Sequence, residues 1–125
     1  MKIIFALAIA VSSAALGAKA RTVHLSDTEM APIRVSPGRS TILSFPIKPA
    51  KIILGSQGLF AVEYVENDLA LAALQAPARS NLFVYLEGRR FAFDLTTVPN
   101  GGDEIVLVRD AAEKRAVRGK GKHHE

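Results

Sequence analysis

Residues that could perform catalysis are few in this chain, and they lack the spacing of a catalytic motif. Nucleophilic catalysis needs a serine, threonine or cysteine beside a base. The chain has no cysteine, and its only histidine before the C-terminal tail is His24. No Gly-x-Ser-x-Gly motif accompanies His24, although a Ser-His-Asp arrangement through it stays open. We expect a non-enzymatic protein in which His24 lies on an early strand facing solvent or a partner.

The C-terminal tail carries the residues with the best metal-binding chemistry. His123, His124 and Glu125 are adjacent, and imidazole is a common ligand for divalent metals. Adjacent residues in a polar tail do not preform a site, so only adventitious weak binding is expected. The sequence therefore predicts no resident metal and no cofactor.

Acidic residues cluster at one further place, where a carboxyl pair could act as acid and base. Such work requires one carboxyl group to be desolvated, which raises its pKa. Glu66 and Asp68 lie in a predicted turn, and Glu63 is expected on a solvated strand face. We therefore predict no catalytic carboxyl pair.

The sequence also lacks a clear motif for binding phosphate or nucleic acid. Gly55-Ser56-Gln57-Gly58 lacks the Lys-Ser or Lys-Thr of a phosphate-binding loop. Arg89-Arg90 stand beside Phe91 and Phe93, a combination that could stack on single-stranded nucleic acid. The two phenylalanines alternate with Arg90, however, so they should point away from it into the core. No nucleic-acid partner is expected.

The N-terminal segment has the pattern of a secretory signal peptide. Lys2 supplies a positive charge, and residues 3–17 are uncharged and mostly apolar. Ala18-Lys19-Ala20 places small residues at the two positions read by signal peptidase, which predicts cleavage before Arg21. The apolar run is shorter than the roughly 20 residues that span a bilayer. We expect a periplasmic protein with no transmembrane segment after cleavage; the alternative is a retained N-terminal anchor.

The basic character of the chain is concentrated at its C-terminus. The formal net charge is +4, and residues 109–125 hold six basic and three acidic residues. Residues 118–125 are too polar and glycine-rich to pack, which predicts disorder. Residues 111–125 are therefore assigned to a short helix or a disordered basic tail. The tail could contact an acidic partner or an anionic surface.

The intervening residues read as short strands separated by turns. Short β-type runs occupy residues 22–25, 33–35, 40–45, 51–54, 59–65 and 104–108, and Thr41, Leu43 and Phe45 fall on one face of the third run. Pro46 and Pro49 predict a bend or sheet edge between two of these strands. Residues 69–74 have helical propensity, but only about six residues lie between turn signals, too few for a stable isolated helix. We predict a strand there.

Residues 80–95 contain the clearest element, a β-hairpin. Two strand-like runs flank Glu87-Gly88, where glycine can adopt the positive φ of a tight turn. Phe91, Phe93 and Leu95 fall on one face of the second run, as expected of a half-buried strand. Residues 21–110 are thus predicted to form an all-β domain, a small antiparallel β-sandwich of about eight short strands.

Several strand motifs resemble those of two related groups of exported bacterial domains. The motifs are Phe45-Pro46 after an apolar run, the strand end at Gly55, Asn81-Leu82 in a Ser-Asn-Leu-x-Val strand, and the alternating Phe91 and Phe93. They are similar to the N-terminal β-sandwich of the TrbG/CagX conjugal-transfer family of type IV secretion systems. They are also similar to the pilus-formation domain that precedes secretin channels.

The resemblance implies a domain that works in the bacterial cell envelope. It covers residues 33–95 and implies structural roles for its motif residues; an asparagine such as Asn81 often caps a turn. The TrbG/CagX proteins continue into a second β domain, and the resemblance covers only their first domain, so ring-building and channel function are not expected from the resemblance alone. We therefore expect protein–protein contacts in a secretion, conjugation or pilus assembly, made through an exposed strand edge. The alternative is a small periplasmic ligand-binding or inhibitor-like β domain.

Overall fold

The computed structural model describes residues 20–112, which form two β-sheets packed face to face. Alternating apolar residues produce short strands because each strand buries only one of its faces. The nine strands of this part of the chain are β1 (Ala20–Leu25), β2 (Met30–Val35), β3 (Thr41–Ser44), β4 (Lys51–Leu54), β5 (Phe60–Val65), β6 (Asp68–Ala73), β7 (Arg79–Leu86), β8 (Arg89–Thr97) and β9 (Ile105–Asp110). The all-β sandwich prediction is confirmed.

The strand order differs from a simple antiparallel arrangement. One sheet has five strands in the order β1-β9-β3-β6-β5, and the other has four in the order β2-β8-β7-β4. The β1–β9, β3–β9 and β2–β8 ladders are parallel, whereas the other ladders described are antiparallel. The expectation of a purely antiparallel sandwich was therefore wrong. Period-two alternation reports which face of a strand is buried, but carries no information on the direction of its neighbour.

The predicted hairpin is present as β7 and β8. Gly88 adopts a φ of 65° in the turn, as a tight hairpin connection requires. Phe91, Phe93 and Leu95 are buried, with exposures of 2% or less. The predicted strand in residues 69–74 is also present, as β6. It pairs with β3 on one side and β5 on the other, so sheet pairing outweighs helical propensity there.

Three phenylalanines fill the centre of the sandwich. Phe45, which follows β3 in the five-stranded sheet, packs against two side chains of β8 in the other sheet. The ring centroids of Phe45 and Phe91 lie 6.3 Å apart, and those of Phe45 and Phe93 lie 6.2 Å apart in an edge-to-face arrangement. Edge-to-face pairs contribute about 0.5–1.5 kcal/mol beyond the burial of their area. These contacts join the two sheets directly.

Residues 1–19 and 113–125 lie outside the residues that the structure describes. The predicted signal peptide lies outside the described residues except for Ala20, the first residue of β1, which pairs with Ile105. At the other end, Ala111 and Ala112 are helical, and the rest of the predicted basic tail lies outside the described residues. Cleavage before Arg21 would therefore remove the first residue of β1.

Candidate functional site

The titratable residues considered for catalysis are dispersed in the fold. His24 is exposed on β1 and lies opposite Arg109 of β9 in the ladder. Glu63 is exposed on β5, and Glu66 lies in the turn that leads to β6. Within residues 20–112, no group of three or more His, Cys, Asp or Glu could hold a metal ion. The histidines of the tail lie outside the described residues.

One side of the sandwich is closed by hydrogen bonds around Asp103. Arg21 of β1 donates from Nε to Asp103 Oδ1 at 2.9 Å and from Nη2 to Oδ2 at 3.1 Å. The backbone N–H of Arg34 in β2 donates to the same carboxylate at 2.9 Å, and the Asp103 N–H donates to the Arg34 carbonyl at 2.7 Å. Arg21 Nη2 also donates to the Pro32 carbonyl at 2.8 Å. This group, called the Asp103 clasp below, ties the edge strands β1 and β2 together.

The clasp holds Asp103 in its charged form. Burial of the carboxylate acts to raise its pKa, because the charged form is less well solvated. The hydrogen bonds from Arg21 and from the Arg34 N–H act in the opposite direction, as do the charges of both arginines. Their combined effect is larger, so the pKa of Asp103 lies below its ordinary value.

The opposite side of the sandwich is open between the edge strands β4 and β5. A groove of about 360 Å³ lies there. It is lined mainly by apolar side chains, which are Ile52, Leu54, Phe60, Ala61, Val62 and Leu74, with Gln57 as the polar member. Leu74 is 57% exposed, and Tyr64 further along β5 is 44% exposed. Leu74 and Tyr64 thus add exposed apolar surface beside this β4–β5 groove.

The backbone of β5 leaves hydrogen-bonding groups free along the groove. The Leu74 N–H donates to the Leu59 carbonyl at 2.8 Å, so Leu59 and Leu74 are a hydrogen-bonded pair that continues the β5–β6 ladder. Because alternate residues of an antiparallel strand bond to opposite sides, Ala61 and Glu63 bond to β6. Phe60, Val62 and Tyr64 therefore direct their N–H and C=O groups to the open edge. Their side chains are on the inward face of the sheet, so free backbone and apolar surface coincide.

The edge of β4 also has free backbone N–H and C=O groups, but over fewer residues than β5. Gly55, just after β4, donates its N–H to the Asn81 carbonyl at 2.9 Å, so Gly55 and Asn81 are a hydrogen-bonded pair that continues the β4–β7 ladder. Ile52 and Leu54 thus direct their backbone groups to the open edge, and both side chains pack partly against the core. The groove is bounded by two strands that can each accept a further strand.

The residues of the sequence motif are mostly in the core, away from the groove. Phe45, Leu82, Phe91 and Phe93 are buried, with exposures of 2% or less, and Pro46 is in the predicted bend between β3 and β4. None of them lines the β4–β5 groove.

Gly55 and Asn81 are in contact, but Asn81 does not cap a turn as expected. Within the described residues, the Asn81 side chain makes no hydrogen bond. The bond to the loop after β4 is made by the preceding residue, since the Ser56 N–H donates to Ser80 Oγ at 2.9 Å. Asn81 is the third residue of β7, inside the ladder, which explains why it is not positioned to cap the turn. A Cβ added at Gly55 would overlap Asn81 Oδ1 and lie 3.1 Å from Ser80 Oγ.

Two groups of candidate binding residues were not identified from the sequence. One is the lining of the β4–β5 groove, whose residues look like ordinary strand residues until the sheet order is known. The other is on the outer face of the four-stranded sheet, where Tyr85 lies between Arg90 and Lys51 in neighbouring strands. Alternation along β7 could have found Tyr85, because it has the opposite phase to the buried Val84 and Leu86.

Comparison with protein-family models and with curated proteins gave no match to this chain. Over residues 20–112, no helix has the length and apolar character needed to cross a membrane.

Proposed function

We propose that this protein is a non-enzymatic binding domain that takes an extended apolar segment of another protein into the β4–β5 groove. The single observation that supports this most strongly is the coincidence at one edge of free backbone groups and exposed apolar side chains. A strand added to an existing sheet gains affinity from main-chain hydrogen bonds and specificity from alternate side chains. Both parts of that recognition mode are available on each side of the groove, along Phe60, Val62 and Tyr64 of β5 and along Ile52 and Leu54 of β4.

The groove defines the chemistry of the segment it binds. Alternate residues of the segment should be apolar, because they would enter the space lined by Ile52, Leu54 and Val62. The segment should be extended and free of proline at the positions that bond to the open strand edge.

The setting we propose is a bacterial envelope assembly for secretion, conjugation or pilus formation, with the protein in the periplasm. This part of the proposal is supported by the signal-peptide pattern and by the strand motifs, from Phe45-Pro46 to Phe91 and Phe93. The basic tail would add an electrostatic contact with an acidic partner or an anionic surface.

The alternative, a domain that binds a small ligand between its sheets, has less support. Its binding space would have to lie where Phe45, Phe91 and Phe93 pack against one another. A hollow of about 370 Å³ exists at the end of the sandwich near Ser36. Its two acidic residues already have partners, since Asp103 pairs with Arg21 and Glu104 with Arg39.

A pair of matched lysine variants tests the proposed function. Val62→Lys places a charge in the groove, whereas Val65→Lys places the same residue on the opposite face of the same strand, where Val65 is 48% exposed. Wild type and Val65→Lys should capture secretion, conjugation or pilus components from native envelope, and Val62→Lys should not. A thermal melt of both variants checks that the loss is not caused by unfolding. Equal capture by all three proteins, or no envelope component with wild type, would contradict the proposal.

A further inference from the structure

Among the four edge strands of the described sheets, β5 alone has no proline, no lysine and no inward-pointing charge. β2 contains Pro32, which has no N–H, and its edge is occupied by the Asp103 clasp. β1 carries the inward-pointing charge of Arg21. β4 has four residues, begins with Lys51 and follows Pro46 and Pro49. Short length, charged side chains, proline and inward charges are the usual protections of sheet edges. Over its six residues β5 has only one of them, the charge of the outward-facing Glu63.

The free backbone groups of β5 complement themselves in one register. Phe60, Val62 and Tyr64 are the residues whose N–H and C=O groups face the open edge. An antiparallel copy of β5 uses all of them only when Val62 lies opposite its own equivalent and Phe60 lies opposite Tyr64. Each of these pairs can then exchange both N–H···O bonds. A shift of two residues in either direction leaves at least one of the three residues without a partner.

The side chains of this register are compatible on both faces. On the inward face, Val62 meets Val62, and Phe60 meets Tyr64 on either side of it, so the contacts are apolar and aromatic. On the outward face, Ala61 lies opposite Glu63. The two carboxylates are therefore not directly opposed, and like-charge repulsion across the new ladder is avoided.

We infer that the partner of the β5 edge is a second copy of this chain, which pairs antiparallel with Val62 at the two-fold axis. The inferred dimer rests on the proposed function, because both treat the β4–β5 groove as an interaction surface. The second copy occupies the β5 edge of that surface. The two five-stranded sheets become one continuous sheet. Both four-stranded sheets then lie on the same side of it, so the two grooves join into one apolar cleft between the β4 edges. Because the second copy then uses the backbone groups of Phe60, Val62 and Tyr64, the segment of the envelope partner would lie in this joint cleft along β4, where Ile52 and Leu54 keep free backbone groups.

Engineered cysteines test the register directly, because the chain has no cysteine of its own. Ala61 and Glu63 are expected to form a non-hydrogen-bonded pair with Cα atoms about 4.5 Å apart. That distance is within the roughly 4.4–6.8 Å spanned by disulfides. Purified Ala61→Cys and Glu63→Cys proteins are oxidised separately and as a mixture, and the mass of the unmodified protein is measured by sedimentation. Val65→Cys, which faces outward on the same strand, serves as the control.

The expected result is a disulfide-linked dimer in the mixture of Ala61→Cys and Glu63→Cys, little in either protein alone, and little with Val65→Cys. The unmodified protein should sediment as a dimer, and Val62→Lys, which opposes two lysines at the axis, as a monomer. A monomeric mass, or equal cross-linking in every combination, would overturn the inference. Cross-linking of Glu63→Cys with itself would overturn the register. These measurements use purified protein without envelope components, so their failure is distinguishable from loss of capture in the preceding experiment.

Discussion

Arg21 and Asp103 form a bidentate ion pair, with Nε and Nη2 of the arginine 2.9 Å and 3.1 Å from the two carboxylate oxygens. The pair joins the beginning of the first strand to the residue that lies just before the last strand. Because the same carboxylate accepts the Arg34 N–H, three segments of the chain meet at one group. This closes the β1–β2 side of the sandwich and leaves the β4–β5 side as the open one.

Removal of the Asp103 carboxylate should destabilise the domain. In Asp103→Ala, the Arg34 N–H and the Arg21 guanidinium lose their acceptor. The Asp103 side chain is only 8% exposed, so water cannot easily replace it. An unsatisfied partly buried donor costs about 1–3 kcal/mol, and the lower part of that range is expected because Arg21 is 39% exposed. Denaturant unfolding measures the change. Asp94→Ala, which breaks the more exposed pair with Arg79, is the control, and an equal loss in the two variants would contradict the role of the clasp.

The contribution of Asp103 should depend on pH in one direction. Its pKa is lowered in the folded protein, so the stabilisation is fully present above the unfolded pKa of about 3.9. It is lost as the pH falls through the lower, folded-state pKa. The difference in free energy of unfolding between wild type and Asp103→Ala should therefore shrink from about pH 5 to about pH 2. A difference that stayed constant or grew on acidification would show that the charge of Asp103 is not what stabilises the clasp.

Gly55 and Asn81 should show coupling. Gly55→Ala forces the new Cβ against Asn81 Oδ1 and to 3.1 Å from Ser80 Oγ. Because the Asn81 side chain can rotate aside, the cost should lie near the lower end of the range for overpacking, which is about 1–3 kcal/mol. Asn81→Ala alone should have a small effect, because its side chain makes no hydrogen bond within the described residues. The double variant should recover most of the loss, since the obstructing atom is gone. Thermal or denaturant unfolding of the four proteins gives the coupling energy, and additive effects would refute the contact.

The strands of this protein could be predicted because short runs rich in β-branched and aromatic residues lie between turn signals, and β3 and β8 also show the period-two pattern of a half-buried strand. The alanines and leucines of β6 favour helix, but a strand was predicted there because only about six residues lie between turn signals. The direction of neighbouring strands could not be predicted. β9 lies between β1 and β3, and such pairings between distant segments leave no local signal.

The candidate site was harder to predict than the fold for the same reason. An exposed strand edge was expected, but Val62 has the pattern of any half-buried strand residue, and only the sheet order places it at an open edge. Asn81 was expected to cap a turn, yet it lies within a ladder and the adjacent Ser80 makes the bond. Motif residues such as Phe45 instead report the packing of the core.

The most direct test of the central claim is site-specific photo-cross-linking in native envelope. A photoreactive amino acid replaces Leu74, which lines the β4–β5 groove and is 57% exposed, or Ile53, which is 45% exposed on the outer face of β4. The two positions are similar in exposure and apolar character but lie on opposite sides of the four-stranded sheet. Leu74 should give an adduct with a secretion, conjugation or pilus component, and Ile53 should give little or none. No such adduct at Leu74, or equal adducts at both positions, would contradict the groove as the binding surface.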